Sequence, residues 1–238
     1  MGVCDCGNSD EKAIQFLPEA KKAICQVEAI DKSKNFYSGF FCKIPSTENN
    51  NILFPALITN SHILEGSSLD LDGILTIFVE NEVKFIPMSR RKRWTNKTID
   101  YACIEINEEE DDIHTFFNLD NIVLDNNYSN DYYLNQKVVI FSFNKNNKEI
   151  GFSNGLITKN KDSFFEYHCN TNPGYSGGCI VNKSNNCVIG IHQGEINTQY
   201  NNNTNQGVYI KSIIKSIITD KSCYIPRVIY FIYYFYLL

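Results

Sequence analysis

Three side chains in this sequence could act together as a nucleophile, a base and an orienting acid: Ser176, His62 and Asp100. Ser176 stands in NPGYSGGCIV (172–181), where three glycines crowd one hydroxyl. Glycine permits backbone conformations that other residues resist and lets another molecule approach the main chain closely. Such a turn is either a tight loop and nothing more, or a nucleophile with backbone N–H groups aimed at an oxyanion. A serine hydroxyl is a weak nucleophile until a general base lies within hydrogen-bond reach and a third group orients that base. His62 ends the apolar stretch ALITNSHIL (56–64), where a rigid sheet can fix an imidazole. Asp100 opens TIDYACIEI (98–106), at the start of an apolar run that can half-bury it. Taken alone, His62 reads as a polar strand-edge residue and Asp100 as a strand-initiating turn residue. Asp70 and Asp72, in SSLDLDG, and Glu105, inside its strand, are rival partners for the histidine.

The elements that must position these residues read as short strands. Segments 36–44, 56–59, 74–79, 101–106, 137–142 and 187–191 are rich in β-branched and aromatic residues and are bounded by Asn, Gly, Ser and Asp. Strands without intervening helical periods predict an antiparallel sandwich or barrel. Helical spacing is confined to 11–23 and 210–218, the second marked by Ile210, Ile213, Ile214, Ile217 and Ile218. The acidic run at 108–112 divides the strand-rich region into two similar parts. The expected division is an N-terminal extension (1–23), a first unit (24–107), an acidic linker (108–126), a second unit with its helix (127–220) and an apolar tail (221–238).

Composition bounds the function. The chain has 238 residues, 43% of them hydrophobic and 21% charged, enough for one large domain or two small ones. A net charge of −5 argues against nucleic acid as a partner. The basic cluster Arg90-Arg91-Lys92-Arg93 is expected to be a solvated loop between strands. The nine cysteines are odd in number and irregularly spaced, and the opening MGVCDCGNSDEKAI lacks the apolar core of a signal peptide. Free thiols and a cytoplasmic location are therefore expected. Gly2, Cys4 and Cys6 would offer an acylation route to a membrane, although Cys6 replaces the usual Ser or Thr. The apolar run 228–238 is too short for a spanning helix but could dip into an interface.

ALITNSHIL, TIDYACIEI and NPGYSGGCIV, with VIGIHQG (188–194) downstream, resemble the histidine, aspartate and serine segments of chymotrypsin-fold serine proteases. The resemblance is to their intracellular and bacterial branch, and SGFFCKI (38–44) fits the strand before the histidine. It implies an all-β fold of two antiparallel six-stranded barrels with a C-terminal helix, and a site in the cleft between them. It implies a serine endopeptidase acting on protein or peptide substrates, with Ser176, His62 and Asp100 as triad and Gly174 and Ser176 N–H groups as oxyanion hole. No metal or cofactor is required by that chemistry. An inactive protease-fold module that binds peptides or protein partners is the alternative from another class.

Ile63 departs from the family's digestive members, which carry cysteine directly after the histidine. No cleavable activation sequence is visible, so maturation without N-terminal release is expected. The roughly 20 residues after the last helix are too few for an appended PDZ domain. In family members that cut after Glu or Gln, a histidine on the strand downstream of the serine pairs with a threonine five residues before it. His192 and Thr171 match those positions, and Asn170 near the pocket floor offers no negative charge for Lys or Arg. His192 as a plain strand-edge residue is the competing reading.

Overall fold

Strand β8 (Lys137–Phe143, KVVIFSF) shows how an almost unbroken apolar run is used. Alternate side chains leave opposite faces of a strand. Val138 and Ile140 enter one core with Tyr167, Ile180 and Tyr209, whereas Val139, Phe141 and Phe143 enter a second with Phe40, Ile58 and Cys179. A strand buried on both faces has no need of polar alternation, which is why the sequence shows none there.

The computed structural model describes residues 18–29, 35–46, 52–64, 73–125, 128–143, 149–171, 174–196 and 204–219. Gly2, Cys4 and Cys6, the rival Asp70 and Asp72, and the apolar run 228–238 lie outside them. The first half comprises β1 (Ile24–Glu28), β2 (Phe36–Pro45), β3 (Leu53–Thr59), β4 (Ile74–Val79), β5 (Glu82–Pro87), β6 (Arg93–Asn96) and β7 (Tyr101–Glu105). They form one curled seven-stranded sheet, in the order β5-β4-β1-β2-β3-β7-β6. The second half adds β9 (Ile150–Asn160), β10 (Phe164–His168), β11 (Cys179–Asn182), β12 (Val188–Glu195) and β13 (Thr204–Tyr209), which with β8 close a six-stranded barrel. The mostly-β, two-barrel chymotrypsin-like architecture expected from sequence is thus present. The first unit differs in being an open seven-stranded curl.

Three cores follow from the pattern. One fills the concave side of the first sheet, around Phe41, Leu57 and Ile77. One fills the closed barrel. The third joins the halves and also takes Ile210, Ile213, Ile214 and Ile217 of helix α1 (Ile210–Thr219). Residues 18–22 are helical, and the remainder of the helix predicted at 11–23 is outside the described residues apart from Ala23. No helix among the described residues is long and apolar enough to cross a membrane.

One expectation is corrected. The basic cluster is not a solvated loop: Arg91 and Arg93 are buried, and Arg91 bonds Asp111 at 2.8 Å and Glu110 at 3.2 Å. The acidic run that pairs with it therefore packs on the first sheet. The crossover behind that run is also tied down, because Phe117 bridges Cys42 and Leu119 bridges Val188.

Candidate active site

His62 sits in a single 3-10 turn (Ser61–Leu64) that stops β3, with Ile63 and Leu64 buried behind it. That packing accounts for an apolar Ile63 where a cysteine might have stood. The imidazole itself is half-exposed, with its edge toward Tyr37 at a ring-centroid distance of 6.1 Å. Asp100 lies at the end of the turn entering β7, the strand paired with β3. Its φ of 52° is a left-handed conformation that Asp tolerates better than most residues.

Three consecutive residues, Asn60, Ser61 and His62, all bond this one aspartate. His62 Nδ1 meets Oδ2 at 2.8 Å, and the His62 amide donates to Oδ1 at 3.0 Å. The Ser61 hydroxyl donates to Oδ1 at 2.8 Å, while the Asn60 amide donates to the Asp100 carbonyl at 3.0 Å. Burial by itself would raise the Asp100 carboxyl, but the His62 ring and amide and the Ser61 hydroxyl outweigh it and hold the group below its ordinary range. An ionised aspartate thus faces Nδ1, which directs the other ring nitrogen away from it. Sequence reasoning missed Asn60 and Ser61. Two polar residues directly after an apolar strand and before a histidine were the available signal.

The serine turn is held from its own half by β12 and from the first half by β2. His192 accepts from Gly177 N–H at 3.0 Å and donates to the Gly178 carbonyl at 2.8 Å. Ser38, wholly buried, uses every polar group it has. Its N–H donates to the Ser176 carbonyl at 2.9 Å and its carbonyl accepts from the Thr59 hydroxyl at 2.8 Å. Its hydroxyl donates to the Gly174 carbonyl at 3.3 Å and accepts from Phe143 N–H at 2.9 Å. Gly177 has φ 84°, and a Cβ built there would lie 1.8 Å from the Ser38 carbonyl oxygen, so only glycine fits against β2. Gly174 has φ 99°. Among the described residues, no hydrogen bond uses the N–H of Gly174 or Ser176. Ser38 was not singled out from the sequence because all its partners come from distant segments.

Ser176 Oγ does not bond His62. It donates to the Gln193 carbonyl at 3.1 Å. The remaining candidates are dispersed around β10, β12 and β13. His192 is buried, with Nδ1 2.5 Å from the Tyr167 hydroxyl, and burial lowers its pKa to about 3, so the ring is neutral. Thr171 donates to Asn205 Oδ1 at 2.9 Å and does not bond His192. Asn170 is exposed. Glu105 accepts from Lys92 N–H at 3.1 Å, away from His62. Cys25, Cys42, Cys103, Cys169, Cys179 and Cys187 are all free thiols.

A family model described as a trypsin-like peptidase domain matches residues 38–191. No curated protein matches the sequence. Among solved structures, the serine endoprotease of Yersinia pestis superposes with a TM-score of 0.60 at 16% identity. That match covers 87% of this chain and 66% of the other, so the chain spans just under two thirds of that relative's length. Deg5 gives 0.62 at 15% identity, covering 90% and 98%, and the Rv3671c protease of M. tuberculosis in its active form gives 0.60 at 11%, covering 84% and 81%. At such identities the structural likeness speaks for the fold.

Proposed function

We propose that this chain, which belongs to the trypsin-like peptidase domain family, is a serine-type endopeptidase. In its mechanism Ser176 attacks the scissile carbonyl, and His62 takes its proton and returns it to the leaving amine. Asp100 holds the imidazole's tautomer and stabilises its cation. The N–H groups of Gly174 and Ser176 receive the oxyanion, each donor worth about 3 kcal/mol of transition-state stabilisation. The observation that carries the reading is the 2.8 Å contact between His62 Nδ1 and Asp100 Oδ2, with the carboxylate also held by two further donors, the Ser61 hydroxyl and the His62 amide.

Attack requires the Ser176 hydroxyl to leave the Gln193 carbonyl and turn to His62, a rotation about one side-chain bond. Catalytic hydrogen bonds are often unmade before substrate binds. We further assign a preference for Glu or Gln before the scissile bond. In the tautomer where Tyr167 donates to Nδ1, the neutral His192 ring carries its proton on Nε2 as a donor for the substrate's side-chain oxygen. Thr171 would join it once its hydroxyl turns from Asn205. The six uncrosslinked thiols suit a reducing, cytoplasmic setting.

A fluorophosphonate probe tests the central claim. Covalent labelling should map to Ser176 and disappear in Ser176→Ala and His62→Ala, with peptide hydrolysis lost in step. A folded protein that neither labels nor cleaves any peptide in a random library is instead the non-hydrolytic binding module. For the pocket, a Glu/Gln preference lost in His192→Ala is expected, and a preference for Arg, Lys or large aromatics removes it.

A further inference from the structure

The row of residues lateral to Ser38 leads to a second concavity. Antiparallel pairing sets Gln26 of β1 opposite Ser38 of β2, Phe78 of β4 opposite Gln26, and Val83 of β5 opposite Phe78. Directly paired residues share one face of a sheet. This is the face on which Ser38 grips the serine turn. One step beyond Ser38 lies a cavity of ≈ 220 Å³, lined by Gln26, Phe36, Phe78, Asn81 and Phe143. Phe36 and Phe78 meet edge to face at 5.4 Å and form its apolar wall.

Gln26 is the unusual member. Its side chain is 5% exposed, and among the described residues its amide makes no hydrogen bond, with Nε2 fully buried. Buried amides are nearly always paired, because an unmade bond forfeits what water gave the group in the unfolded chain. Among the described residues, none that lines the cavity carries a charge. A carboxylate entering it would lose hydration with no cation in return, and an aliphatic side chain would leave the amide unpaired. A primary carboxamide satisfies both demands once the Gln26 amide turns about its last side-chain bond to face the cavity: its oxygen accepts from Nε2, its NH₂ donates to Oε1, and its methylenes lie against the two rings.

We propose that this cavity is a substrate subsite for a glutamine or asparagine side chain on the leaving-group side of the scissile bond. The assignment rests on the hydrolytic reading above. His192 and Thr171, the acyl-side candidates, stand on the second half, whereas this cavity is lined mainly by the first, with Phe143 of β8 added, and lies beside Ser38, the residue that holds the serine turn. In this assignment the peptide segment that His62 releases as an amine passes over it.

Two measurements test the assignment. In the first, native protein and Gln26→Leu cleave a peptide library randomised at the three positions after the scissile bond. Native protein should favour Gln or Asn at one of these positions by about tenfold or more over Leu, Met and Glu, because a site built on buried polar groups rejects ligands that leave them unpaired. Gln26→Leu should shift that position to Leu or Met. An unchanged profile, or a uniform loss over all peptides, overturns the subsite. In the second, the Gln26 side-chain amide signals are followed by NMR in full-length Ser176→Ala protein. They should shift saturably with a glutamine peptide and stay still with its norleucine counterpart, and the reverse overturns the proposal. Because this readout needs no turnover, a shift without cleavage by native protein removes hydrolysis and keeps the cavity. Cleavage without a shift does the opposite.

Discussion

The two corners that would meet at a scissile bond are built differently. At the His62 corner, three consecutive residues converge on one aspartate, and every bond needed to orient the imidazole is already made. At the Ser176 corner the backbone is clamped equally well, by Ser38 and His192, yet the hydroxyl itself rests on the Gln193 carbonyl. The first corner is fixed because β3 and β7 are paired neighbours, so the turn that ends one and the turn that starts the other must meet. The second depends on contacts between the two halves, and its last degree of freedom is a single staggered rotor. Orientation is thus prepaid on the base and left open on the nucleophile.

Breaking each corner should rank the parts. Ser176→Ala or His62→Ala should lower kcat/KM by several orders of magnitude, and Asp100→Asn by about 10⁴, without unfolding the chain. Combining them should add little further, as expected of residues that act as a unit. Peptide turnover alongside circular dichroism checks this, and near-native rates in a folded Ser176→Ala protein would sink the assignment.

Gly177→Ala should be nearly as harmful by a route that is purely steric. The new Cβ collides with the Ser38 carbonyl at a backbone φ of 84°, so the turn must move and fluorophosphonate labelling should collapse. Ser38→Ala acts more gently, freeing the Gly174 carbonyl and stranding the buried Phe143 N–H. A loss of roughly 10- to 100-fold in labelling rate is expected, from about 1–3 kcal/mol for an unpaired buried group. An equal loss of labelling and of substrate affinity would instead mark Ser38 as general scaffolding.

Acid should loosen the protein before it touches the corner. His192 titrates at about 3 when folded and near 6.5 when free, so the unfolded chain binds the extra proton between these values. Stability should therefore fall as pH drops from about 6.5 toward 3, with the slope reduced in His192→Gln. Asp100 starts ionised where His192 starts neutral, but the direction is the same. Its lowered carboxyl stabilises the fold above the ordinary carboxylate range, and that contribution disappears as pH falls through its folded value. A melting temperature flat over this range would contradict both. The smallest effect expected is none: dithiothreitol should change neither activity nor melting temperature, since the six described cysteines are uncrosslinked.

Much was legible in advance because it is local. β-Branched runs between turn residues mark β2, β4, β7 and β8 to within a residue or two, since strand pairing and two-sided burial select those side chains directly. The identities and order of His62, Asp100 and Ser176, and glycines beside Ser176, are likewise written in short segments whose backbone needs are their own. What pairs with what is not local. Ser38 reaches Gly174 across 136 residues, and Phe143 reaches Ser38 across 105. Arg91 reads as one of four solvated cations until the acidic run folds over it. Whether Ser176 points at His62 or at Gln193 depends on the seating of a closed barrel against a curled sheet, and a hydrogen bond exists only where that seating brings donor and acceptor within about 3 Å. Sequence neighbours determined which groups this protein has for chemistry, and only strand pairing and the packing of its two halves decided which of them touch.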